Sequence, residues 1–130
     1  MPPMPPRPHE VQARARAVRL VLQHARRTPR LVLALAPEGG DHPGGTLTLP
    51  PPGAGRFLLL LARGGFPILP IGCWEQDGAL CLRFGPSFRL QVPPALDAGE
   101  RDRLAAETVM QAIANQLPPS LRGDFSVPLE

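Results

Sequence analysis

A single carboxylate follows directly on an apolar run. Residues 31–36 read LVLALA, and Pro37, Glu38, Gly39 and Gly40 come immediately after them. In open α/β sheets ligands bind at the carboxyl ends of strands, and glycines let backbone N–H groups approach a ligand closely. This pattern predicts that Glu38 binds a ligand. The simpler interpretation is a turn carboxylate held in solvent.

Other side chains offer little chemistry. His42 follows Asp41 in the loop after Glu38, but neighbouring side chains on an extended backbone point apart, which favours an exposed loop histidine over a base. Ser87 and Ser120 have no histidine nearby in the sequence. Nothing resembles a P-loop, a dinucleotide fingerprint or a zinc site. We therefore predict no catalytic residue and no metal ligand in this chain.

The cysteines indicate the compartment. Cys73 and Cys81 lie eight residues apart near two predicted strands, with neither a secretory signal nor a metal-type spacing. Reduced cysteines packed in a core are favoured. The longest apolar run, residues 57–62, falls short of the roughly 18–20 residues that span a bilayer. We expect a cytoplasmic protein that can attach peripherally to the inner face of a membrane.

The composition is unusual in its basic residues. All 14 are arginine, alongside 19 prolines, which is what a GC-rich genome would impose, so their abundance alone says little about function. Seven of the arginines lie between Arg7 and Arg30, where an amphipathic helix over residues 9–30 would suit an anionic membrane surface. The simpler interpretation is the solvated face of a packed helix. Residues 9–30 contain no aromatic side chain, which argues against nucleic acid as a partner.

Hydrophobic periodicity and turn residues divide the chain into elements. We predict helices at residues 10–27, 55–63 and 97–117, and strands at residues 31–36, 67–74, 79–84 and 87–92. The order predicts an α/β chain with a partial mixed sheet of about four strands flanked by helices. A right-handed crossover would join parallel strands at 31–36 and 67–73.

Domain boundaries follow from composition. Residues 1–8 contain five prolines and predict a disordered leader. Residues 9–124 would form one α/β half-domain, and residues 125–130 an irregular tail.

Two motifs give the chain a family resemblance. Residues 31–40, LVLALAPEGG, and residues 66–71, FPILPI, resemble the third and fourth motifs of the glycerophospholipid acyltransferases, the lysophosphatidic acid acyltransferase family. The segments LCLRFGPSFRL at 80–90 and LPPSLRGDF at 117–125 are similar to that family's later hairpin and closing segment. The resemblance covers the C-terminal half of the family's domain.

The resemblance implies an activity and a site. Its members move a fatty acyl chain from acyl-CoA or acyl-carrier protein to a lysophospholipid or glycerol phosphate, with no cofactor beyond that co-substrate. It implies that the acceptor binds at Pro37, Glu38, Gly39 and Gly40. It also implies that Pro67 and Pro70 shape the wall of the acyl site.

The catalytic part of the family pattern is missing. The family uses a His-x4-Asp pair as its base, but the residues five positions after the three histidines are Arg14, Pro29 and Leu47. In the third motif Gly40 replaces Thr and Asp41 replaces Arg. We therefore expect little activity from this chain alone. Three explanations stay open: a second chain or a homodimer completes the sheet, the start is truncated relative to a working gene, or the chain is a degenerate copy. The alternatives are a non-catalytic module that binds lipid or a partner, and a purely structural domain.

Overall fold

The computed structural model describes residues 7–38 and 45–126. The chain divides into two compact units, Met1–Leu33 and Ala34–Glu130. Helices and strands are both present, as predicted, although the helices account for most of the ordered chain. None of the described helices is both long enough and apolar enough to cross a membrane.

The first unit contains one helix, α1, Pro8–Arg27. A proline in the first turn is tolerated because its missing N–H would have no helical partner, and Glu10 closes the start by accepting a hydrogen bond from the Arg7 N–H at 3.0 Å. Arg26 and Arg27 lie in the last turn, where positive charge complements the helix dipole. The helix predicted for residues 10–27 is confirmed. Residues 1–6 of the predicted leader lie outside the described part, and Pro8 belongs to α1.

Two further helices form the centre of the second unit. Helix α2 spans Ala54–Arg63 and helix α3 spans Ala98–Ala114, close to the predicted bounds. The Asp97 side chain caps α3 by accepting a hydrogen bond from the Glu100 N–H at 2.8 Å. The two helices pack together, burying a cluster made of Leu58, Leu90, Ala105 and Val109.

A hairpin supplies the sheet. Strands β1, Ile71–Gln76, and β2, Ala79–Phe84, pair antiparallel. Asp77 and Gly78 both have positive φ, 52° and 77°, as a two-residue hairpin turn of type I′ requires. The predicted turn and the strand predicted at residues 79–84 are confirmed, whereas the strand predicted at residues 67–74 is found at Ile71–Gln76.

The predicted four-stranded sheet is not found in the described residues, where the sheet has two strands. Residues 31–36 form no strand, and Val32 is 89% exposed. A strand buried on both faces needs neighbouring strands and covering helices, and the described chain gives residues 31–36 no strand to pair with, so the expected parallel crossover is also absent. The segment predicted as a strand at 87–92 makes a single bridge, between Ile68 and Phe88.

A second core cluster lies at the C-terminal end of α3. Leu47, Met110, Ala114, Leu117 and Phe125 are buried together. Two short 3-10 turns, Pro119–Leu121 and Gly123–Phe125, bring the last of these side chains into the core. Phe125, the first residue of the tail predicted at 125–130, is therefore buried in the core. Residues 127–130 of that tail lie outside the described part.

Candidate functional site

The predicted acceptor carboxylate lies in a turn of the second unit. Pro37 and Glu38 form this turn and are both half-buried. Glu38 takes part in at least one interaction within the protein. Gly39 and Gly40, which would bring backbone N–H groups to the ligand, lie outside the described residues.

The two prolines of the fourth-motif segment have different surroundings. Pro70 is buried, and its carbonyl accepts a hydrogen bond from the Gly85 N–H at 2.9 Å. Pro67 is exposed, one residue before Ile68, whose N–H and carbonyl bond to Phe88 at 2.7 and 2.9 Å. Of this pair, Pro67 is the one that a ligand can reach. Pro70 instead contributes a backbone hydrogen bond that joins the chain just before β1 to the chain just after β2.

The N-terminus of α2 is a natural anion site, but a protein carboxylate fills it. Asp102 accepts hydrogen bonds from the Gly53 N–H at 3.0 Å and from the Arg56 N–H at 2.7 Å. Free N–H groups and the helix dipole favour an anion at such a terminus. With Asp102 bound there, this helix end offers no open place for the phosphate of an acceptor.

Asp102 was not singled out from the sequence, because its partners lie 46 and 49 residues away. One local signal did exist. Gly55 stands in the first turn of α2, and a Cβ there would lie 1.8 Å from the Asp102 carbonyl oxygen. A glycine where helix propensity favours alanine marks a close backbone approach, although it cannot say to which residue.

The chemically reactive side chains are scattered. His9 and His24 are exposed on α1, and the imidazole of His24 lies 3.5 Å from the Thr28 hydroxyl. Ser87 and Ser120 are also exposed, while His42 lies outside the described residues. In residues 7–38 and 45–126, no three His, Cys, Asp or Glu side chains come together as a metal site would require.

The cysteines depart from the prediction. Both are free thiols, but Cys73 is exposed rather than packed, and Cys81 is half-buried. Cys73 pairs across the hairpin with Leu82, and Cys81 pairs with Trp74, so the two thiols lie on opposite faces. The sequence could not decide which face would be covered, because each face of the hairpin carries both apolar side chains and a charged one, Glu75 on one face and Arg83 on the other.

One face of the hairpin packs on the rest of the second unit, and the other is exposed among the residues that the structure describes. On the packed face, Trp74 contacts the cluster that contains Met110. The opposite face carries Ile71, Cys73, Leu80, Leu82 and Phe84, all exposed; we call these five side chains the open face. The sequence analysis did not predict this exposed apolar surface.

The comparisons with known proteins are negative: no family model and no curated protein matches the sequence, and no solved structure matches the fold. The resemblance to the acyltransferases therefore rests on the motifs at residues 31–40 and 66–71 and on the segments that follow them.

Proposed function

We propose that this chain is an acyltransferase-like half-domain that holds a lysophospholipid or glycerol phosphate acceptor. One observation carries the proposal. Glu38, half-buried in the first motif-like segment, and Pro67, exposed in the second, belong to the same compact unit, 34–130. A carboxylate on a half-buried turn residue can accept hydrogen bonds from the hydroxyl groups of a glycerol.

The related reaction needs a base that this chain lacks. The acceptor oxygen would attack the thioester carbonyl carbon, the carbon–sulfur bond would break, the acceptor proton would pass to the base, and the thiol would leave with a proton. No histidine in the sequence is followed by the aspartate of the family pattern. The base would come from a second polypeptide, which would complete the sheet at the free edge of β1 or β2.

A thioester-release assay measures whether the chain alone catalyses acyl transfer. The purified chain, with acyl-CoA and lysophosphatidic acid, is expected to release thiol no faster than the buffer. Lysophosphatidic acid is expected to bind to it, and Glu38→Ala should weaken this binding by about tenfold through loss of a charge-assisted hydrogen bond. Glu107→Ala is the control, because its carboxylate pairs with Arg103 on the surface of α3. Equal acceptor affinity in the chain and in Glu38→Ala would contradict the proposal.

A second candidate function is supported by α1. Residues 7–33 contain seven arginines and one acidic residue, Glu10, whereas residues 34–130 contain seven arginines and ten acidic residues. The arginines of α1 are exposed, and its apolar residues Val18 and Leu22 are half-buried. A basic amphipathic helix binds the surface of an anionic membrane by charge attraction and shallow insertion. In this proposal, the chain attaches to the inner face of a membrane without catalysis.

Vesicle co-sedimentation tests the second candidate. Binding to phosphatidylcholine vesicles should rise when phosphatidylglycerol is added and fall again with salt. Reversing Arg14, Arg16 and Arg19 to Glu should weaken binding on the order of 100-fold or more, since each arginine near an anionic surface contributes about 1 kcal/mol.

The matched control reverses three exposed arginines of the second unit, Arg56, Arg63 and Arg89, and so changes the net charge equally. Equal losses in the two triple variants would mean that net charge rather than α1 drives the binding. Equal binding to neutral and anionic vesicles would exclude the candidate.

A further inference from the structure

The open face of the hairpin is a contiguous exposed apolar patch. Leu80 is 71% exposed, Phe84 60% and Leu82 52%, and they lie on one side of β2. Ile71 and Cys73 extend the same surface across β1, because Ile71 pairs with Phe84 and Cys73 with Leu82. With neighbouring Leu69, the exposed apolar area is on the order of 500 Å², at the upper end of the roughly 300–600 Å² typical of the largest patch on a monomer.

The opposite side of the hairpin is already used. A Cβ at Gly72 would lie 2.4 Å from the Gln116 carbonyl oxygen, so β1 is pressed directly on the end of α3. The hairpin therefore cannot turn over to hide the open face. A two-stranded hairpin needs at least one covered apolar face to be stable, and the packed face meets that need. Within the described residues, the open face is left uncovered.

The charges around the open face do not fit an anionic membrane. The one charged residue on this face is Glu75, at the turn end of the hairpin, and Asp77 follows in the turn itself. Arg83 lies on the opposite face, with its guanidinium 5.5 Å from the centre of the Trp74 ring. The open face thus combines an uncharged centre with an acidic end, which anionic lipid would repel and which a protein interface tolerates at its rim.

We propose that the open face is the interface of a homodimer, in which two hairpins stack face to face. A two-fold axis makes a patch its own partner, so an apolar, uncharged centre is complementary to itself. Two copies would bury about 1,000 Å² in total, which reaches the size that a specific interface requires. The four strands would form a small sandwich with sheets about 10 Å apart. This dimer does not depend on acyl transfer or on lipid binding.

The position of Cys73 gives the dimer a chemical signature. Cys73 and its cross-strand neighbour Leu82 form the middle pair of the open face, so a two-fold axis through its centre brings the two Cys73 thiols near each other. In the dimer Cys73 is shielded from solvent, whereas Cys81, on the other face, is unaffected.

Sedimentation velocity of the full chain without lipid tests the proposal, with the chain at micromolar concentrations. We expect a species of twice 14.0 kDa that dissociates on dilution. Leu82→Glu and Leu80→Glu should each weaken the dimer at least tenfold, with unchanged circular dichroism, because both side chains are already exposed in the monomer. Leu20→Glu is the matched control: it makes the same change at a leucine of similar exposure on α1, and the dimer should persist.

Alkylation of Cys73 in a Cys81→Ser background provides a second measurement that needs no charge reversal. The alkylation rate should fall as protein concentration rises, and a short bis-maleimide should link two chains. A monomer at all concentrations, with a constant alkylation rate, would overturn the proposal and leave the open face to a different protein. A dimer that survives both hairpin variants would place the interface elsewhere. Loss of vesicle binding in the hairpin variants of a monomeric chain would assign the face to lipid and would also overturn it.

Discussion

At the scale of single residues, Asp102 joins two elements that are far apart in the sequence. Its carboxylate accepts hydrogen bonds from two N–H groups at the start of α2 while its own backbone belongs to α3. A capping carboxylate satisfies helix donors that would otherwise depend on water and also interacts favourably with the helix dipole. One side chain therefore fixes where α2 begins and how it meets α3.

Replacing Asp102 should reduce the stability of the second unit. We expect Asp102→Ala to lower the free energy of unfolding by about 1–2 kcal/mol, through loss of the cap. Asp102→Asn, which keeps an acceptor oxygen, should lose less. Asp124→Ala, at an exposed position in the last 3-10 turn, is the control and should change stability by less than about 0.5 kcal/mol. Urea denaturation followed by circular dichroism measures all three, and equal stability of Asp102→Ala and the unmodified chain would show that water replaces the carboxylate without loss.

At the scale of elements, the hairpin is positioned by close contact rather than by large side chains. Gly72 brings β1 against the backbone carbonyl of Gln116 at the end of α3. Gly85, just after β2, lies against the side chain of the same residue: a Cβ there would be 2.5 Å from the Gln116 Nε2 atom. Trp74 then fills the space beside the second core cluster, and its indole N–H donates to the Gln76 side chain at 3.2 Å. This arrangement leaves the open face on the outside.

Gly72→Ala tests the close contact. The new methyl group would meet backbone atoms of Gln116, which cannot move aside as a flexible side chain can, so we expect a loss of about 1–3 kcal/mol. Gly99→Ala is the matched control: its methyl group would meet nothing closer than 3.6 Å, and alanine within α3 should raise stability by about 0.5–1 kcal/mol. The midpoint temperature of thermal unfolding should therefore fall in Gly72→Ala and rise in Gly99→Ala. A shift of the same sign would mean that the contact at Gly72 relaxes without cost.

At the scale of the whole molecule, charge is divided between the units. Each unit has seven arginines, but the first has one acidic residue and a net charge of +6, whereas the second has ten and a net charge of −3. The net charge of +3 for the chain conceals this difference. The division explains why the two triple arginine variants proposed above are expected to differ, despite an identical change in net charge.

The three proposals depend on different parts of the molecule. Acceptor binding depends on Glu38 in the second unit, vesicle binding on the arginines of α1, and dimer formation on the open face of the hairpin. These are three different sets of residues, so each proposal can fail alone.

The sequence by itself determined the local structure. The three helices and the Asp77–Gly78 hairpin turn lie where periodicity, caps and turn residues predicted them, because these signals act between residues close in the chain. The strand predicted at residues 31–36 was wrong. A continuous apolar segment becomes a buried strand only if other strands lie beside it, and that depends on tertiary contacts. Tertiary contacts also decided that Asp102 fills the helix N-terminus, that Phe125 belongs to the core, and that Cys73 faces outward. Each of these outcomes depends on residues distant in sequence meeting in space, and periodicity along the chain carries no information about such meetings.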